Sequence, residues 1–265
     1  MPNTRGLRVL FFLVLGQAVL IGRSIIWPET ISETLPWPAS PLNTRFVSAL
    51  YLMGAVTSLL AMLARTYAEV RVSLITVWII TGGLLLLTLP HLGEFTAATF
   101  PYRWVMFYTL DAVIVGVVLW RMRGRDPAPS GRNRIAPLLY VYAGVLAVAG
   151  AVMLVAPAFA VDVWPWNVSP ILAQVYSVFF LTFAVGGFLC ARDPRPEASR
   201  IYLAANVVML VLILAVSIAY AERFRTGVAT WVWYVVWGGG LLTLTVALGL
   251  TGLRGARPEP AAVRS

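Results

Sequence analysis

Apolar residues run through this chain in long stretches separated by short polar connections. Eight stretches stand out: Val9–Ile26, Phe46–Ala64, Val72–Pro90, Trp104–Trp120, Ala136–Val155, Ile171–Ala191, Ile201–Ala219 and Ala229–Leu253. Each is close to the ~20 residues that an α-helix needs to cross ~30 Å of hydrocarbon. None alternates strictly, as the ~10-residue strands of an outer-membrane barrel do. Helices also satisfy their own backbone polar groups, which lipid demands. The pattern predicts an all-α, polytopic membrane protein with eight transmembrane helices.

A shift of the sequence by 129 positions lays its halves over one another without a gap. Pro28 meets Pro157, Pro36 meets Pro165, Trp37 meets Trp166, Ser40 meets Ser169, Pro41 meets Pro170, Arg71 meets Arg200 and Trp104 meets Trp233. Each half holds four spans, an even number, so both halves enter the membrane from the same side. The expected architecture is two parallel four-helix repeats about an axis along the membrane normal, a scheme some transporters use. It serves an inert bundle equally well. Residues 1–125 form the first repeat and 135–254 the second. The Pro-, Gly- and Arg-containing stretch 126–134 reads as a cytoplasmic linker, and 255–265 as a flexible cytoplasmic tail.

The composition agrees: 60% of residues are hydrophobic and 12% charged, against about 45–50% and 25% in a typical soluble domain. The basic residues number twenty and all are Arg, so Lys-dependent chemistry is excluded. One Cys, Cys190, rules out an intramolecular disulfide and multi-Cys metal sites; one His, His91, rules out a bis-His haem within the chain. Arg23, Arg45, Arg103, Arg223 and Arg225 fall on one face of the expected topology and the other fifteen Arg on the opposite face. By the positive-inside rule the Arg-rich face, with both termini, is cytoplasmic. The net charge of +9 is thus an orientation signal and needs no nucleic acid. The first apolar run lacks a small-residue cleavage site and is expected to be a retained helix of a plasma (inner) membrane protein.

The clearest motif is Leu35-Pro36-Trp37-Pro38-Ala39-Ser40-Pro41-Leu42, echoed by Trp164-Pro165-Trp166-Asn167-Val168-Ser169-Pro170-Ile171. Ser-Pro before an apolar run is a helix start, with Ser capping and Pro at the first helical position. Trp37 and Trp166 are expected at headgroup level with their N–H groups wet, in an aromatic belt that includes Trp27, Trp104, Trp231 and Trp233. The two loops are either anchors and helix starters or a paired outer-face docking surface. The motif resembles W-P-W-x-x-[ST]-P-L hairpins of uncharacterised bacterial multi-pass membrane proteins, over eight residues in each half. That resemblance implies no activity.

Few residues are candidates for chemistry. Asp111 lies well inside a span, where a carboxylate is costly and marks a functional site or a buried pair. Arg23 is its first expected partner, with Arg45 as another; a proton- or substrate-linked site and a neutral Asp remain alternatives. Gly238-Gly239-Gly240 interrupts the last span, either for close helix packing or as an unwound ligand-binding segment. His91 and Glu94, three apart, form a polar pair at the outer end of the third span, too few for a zinc site. No nucleophile–base pair, cofactor motif or metal cluster can be assembled, so no cofactor is expected. The leading expectation is a non-enzymatic integral membrane protein, an accessory, scaffold or lipid-contacting subunit whose partners are the bilayer and other membrane subunits. The alternative is a small-solute or proton-linked transporter at Asp111; the third is a membrane-embedded lipid-acting enzyme using His91 and Glu94.

Overall fold

In the computed structural model, residues 5–96, 100–124 and 133–255 are described, and among them there is no strand. The expected linker 126–134 and tail 255–265 lie almost wholly outside the described residues. Eight helices are long and apolar enough to cross a membrane. They are α1 (Arg5–Gly22), α2 (Pro41–Leu63), α3 (Tyr67–Thr88), α4 (Tyr102–Arg121), α5 (Ala136–Val155), α7 (Pro170–Arg192), α8 (Pro196–Ala219) and α9 (Val228–Gly255). A short helix, α6 (Pro157–Val163), and 3-10 turns at Pro28–Glu33 and Leu89–Glu94 lie in the connections.

Local chemistry explains the boundaries. The Ser40 hydroxyl accepts the amide of Asn43 at 3.3 Å and the Ser169 hydroxyl that of Leu172 at 3.3 Å, each with Pro at the first helical position. These are the expected Ser-Pro starts. Four helices, α1, α2, α3 and α8, begin four or five residues before their apolar runs, because their polar first turns are already helical. At the start of α3, Glu69 reaches back to the amides of Arg65 and Thr66 at 3.2 and 2.9 Å. At the end of α7, the Asn133 side-chain amide donates to the carbonyls of Cys190, Ala191 and Asp193 at 2.8, 3.1 and 3.0 Å. It thereby satisfies terminal carbonyls that have no partner within the helix.

The helices form an inner and an outer group. Burial reaches 72% of the core window of α7 but 22% of that of α4. α2, α3, α7 and α8 pack on one another, with α1 on α2, α4 on α3, α5 on α7 and α9 on α8. The outer helices turn Phe12, Val113, Val148 and Leu242 outward. Such faces are stable against lipid, where packing rather than water expulsion holds helices together. Between the halves α2 meets α8, α7 meets α3, and α3 meets α8. Under the 129-residue shift the first two contacts exchange and the third maps onto itself.

Side-chain contacts recur at the same shift. The Trp104 indole donates to the Thr88 hydroxyl at 3.0 Å, and that of Trp233 to the Ser217 hydroxyl at 3.0 Å. Trp37 packs edge-on against Trp104 at 5.6 Å, and Trp166 against Trp233 at 4.8 Å. These contacts correct one expectation. Trp37, Trp104, Trp166 and Trp233 are buried core residues, because each connection folds inward onto the last span of its half. Trp27 and Trp231 do lie exposed, 51% and 73%, as a belt requires.

Candidate functional site

Asp111 lies in α4, nine residues from its start and so about 14 Å down the helix. It is buried, 5% exposed, as a carboxylate in an apolar run must be. Its partner is the side-chain amide of Gln17 on α1, which donates to Oδ1 at 3.4 Å. The expected clamp to Arg23 is not formed. Arg23 sits in the turn beyond α1 and pairs with Glu33 of the outer connection. Nor does Arg45 reach inward: it donates to the Pro41 carbonyl at 3.1 Å and lies 4.7 Å from the centre of the Tyr220 ring. One turn from Asp111, Tyr108 shares a buried hydroxyl–hydroxyl hydrogen bond with Tyr51 of α2. The first half thus carries a polar set, Gln17, Tyr51, Tyr108 and Asp111, at mid-span depth.

The 129-residue counterparts of Gln17 and Asp111 are Leu146 and Gly240, and the second half has a different feature there. α5 and α9 leave an apolar groove of about 240 Å³ lined by Leu138, Val141, Tyr142, Leu146, Trp237, Gly239 and Gly240, among others. α9 runs unbroken through Gly238-Gly239-Gly240, so no unwound segment forms. A Cβ on Gly240 would lie 3.4 Å from the Tyr142 ring, whereas one on Gly239 would meet nothing within 4 Å. Close approach at Gly240 and open space at Gly239 shape the groove. The Tyr142 hydroxyl is buried without a hydrogen-bond partner.

The two outer connections meet through Asn43. Its Oδ1 accepts from the Trp166 indole at 2.7 Å and from the Tyr176 hydroxyl at 2.9 Å, and its Nδ2 donates to the Asn167 carbonyl at 3.0 Å. Around it Phe46 packs on Trp164, Trp166, Tyr176, Trp233 and Trp237. Sequence reasoning passed over Asn43, an uncharged residue in a first helical turn. It also passed over Asp193 in the short connection at the Arg-rich end. Asp193 is 1% exposed and accepts from Arg71 at 2.9 Å and from Arg195 at 2.9 and 2.7 Å. Burial pushes its carboxyl up, but the Arg195 hydrogen bonds and the charges of Arg195 and Arg71 outweigh that and hold it below the usual range. An acid flanked by arginines in a short connection was the available signal.

His91 and Glu94 both lie in the 3-10 turn Leu89–Glu94 past α3; the Glu94 side chain lies outside the described residues. Among the described residues no group of three His, Cys, Asp or Glu gathers to hold a metal ion. Cys190 is buried inside α7. Compared with protein-family models, with curated proteins and with solved structures, the chain matches none.

Proposed function

We propose that this integral membrane protein is non-enzymatic and works as an accessory, scaffold or lipid-contacting subunit, through what docks on its outer surface. Two parallel four-span halves, with both termini in the cytoplasm and the bundle in the inner (plasma) membrane, are part of this reading. The observation that carries it is the α5–α9 groove, an apolar recess on the lipid-facing side of a bundle whose neighbouring surface is also apolar. A recess of this kind suits an acyl chain or the apolar face of another helix. Gly239→Leu tests it, because Gly239 lines the groove and a Cβ there meets nothing within 4 Å. Purified in mild detergent, the wild type should carry a lipid or membrane subunit that the variant loses at unchanged thermal stability. Identical co-purified material in both would refute the reading.

A second reading, a proton-linked transporter, draws support from Asp111 alone. At mid-span it has a neutral amide as partner and no cation among the described residues. In liposomes, Asp111→Asn should then abolish a solute-driven proton flux that the wild type shows. Absence of flux in the wild type removes this alternative.

A further inference from the structure

At the Arg-rich end of the bundle, α3 and α4 leave between them a cavity of about 350 Å³. Its lining changes character with depth. Arg123 stands past the end of α4, and Arg71 one turn into α3; Ile75 and Trp78 follow two and three turns in, with Leu119 and Met122 opposite. At 1.5 Å per residue, Trp78 lies about 16 Å along α3 from Tyr67. Guanidinium groups therefore occupy the water end and apolar side chains the membrane end.

The lining holds two arginines, Arg71 and Arg123, and no Asp or Glu. One carboxylate, Asp193, serves both Arg71 and Arg195. We infer that this cavity binds an anionic phospholipid, with its phosphate at Arg71 and Arg123 and an acyl chain along Ile75, Trp78 and Leu119. A zwitterionic lipid brings a cation beside its phosphate, and a soluble phosphate has nothing to cover the apolar wall; the anionic lipid brings both net negative charge and a chain. The inference is independent of the α5–α9 groove, which lies in the other half.

Native mass spectrometry of the full chain in neutral detergent tests it. The probes are a phosphatidylglycerol, a phosphatidylcholine with the same chains, and free glycerol phosphate. The phosphatidylglycerol should be retained about tenfold better than the phosphatidylcholine, the effect of one to two basic contacts. Arg123→Gln, an exposed change past a helix end, should lower that retention about five-fold. Leu119→Trp, which fills the wall, should lower it as well. Arg192→Gln, at the same end but outside the cavity and against Phe188, should leave it unchanged. Equal retention of the two lipids would overturn the inference. So would a loss with Arg192→Gln as large as with Arg123→Gln, which is mere surface charge, or free glycerol phosphate binding as well as the lipid.

Discussion

Asn43 and Asp193 illustrate how single polar groups fasten this bundle. Asn43 offers one oxygen to two buried donors, Trp166 and Tyr176. Its counterpart under the 129-residue shift is Leu172, so Asn43→Leu keeps the volume but strands both donors. The melting temperature in detergent should fall by the equivalent of about 2–4 kcal/mol, since each stranded buried group costs about 1–3 kcal/mol. Asn43→Asp keeps the acceptor and should fall less. Asp193 adds a pH dependence. Its folded-state carboxyl is held below the ordinary value of 3.8, so its stabilisation is complete above that value and disappears as pH drops through the depressed one. Melting temperature should therefore decline on acidification below about pH 4, and Asp193→Asn should lower the neutral-pH value and flatten that decline. The burial of Asp111 was legible because a carboxylate in an apolar run must face inward. Its partner was not, because Gln17 sits at its depth while Arg23 lies six residues, about 9 Å, further along.

At the scale of elements, hydrophobic runs located all eight spans but set four helix starts four or five residues late. Polar first turns such as Asn43-Thr44-Arg45 break the apolar run without breaking the helix, and only the Ser40-Pro41 cap reveals them. The seven residues of α6 and the turn at Pro28–Glu33 were invisible, since neither is long enough to show a period. The Trp–hydroxyl bonds at α3–α4 and α8–α9 give a matched pair of tests. Trp104→Phe and Trp233→Phe each remove one buried hydrogen bond, from Thr88 and Ser217 respectively. Each should cost about 1–2 kcal/mol, and the two costs should agree within a factor of about two. A large disparity in melting temperature would mean that the halves are not energetically equivalent.

For the whole molecule, composition alone announced a membrane protein, whereas the inward folding of Trp37 and Trp166 depended on three-dimensional neighbours that no spacing reveals. The two half-specific features, the Gln17–Asp111 contact and the α5–α9 groove, occupy corresponding places in the two halves. Positions related by the 129-residue shift thus carry a polar contact in the first half and line an apolar recess in the second. That description depends on both halves crossing the membrane in the same direction. Cysteine accessibility measures this directly, because native Cys190 is buried. Single cysteines replace exposed Ser32 and Asp162 in the connections that follow the first span of each half, and exposed Arg65 and Glu197, the one in the connection and the other in the first helical turn after the second span. In intact cells an impermeant maleimide should label both Ser32→Cys and Asp162→Cys, and label Arg65→Cys and Glu197→Cys only after the cells are opened. Labelling of Ser32→Cys and Asp162→Cys from opposite sides would contradict the parallel arrangement.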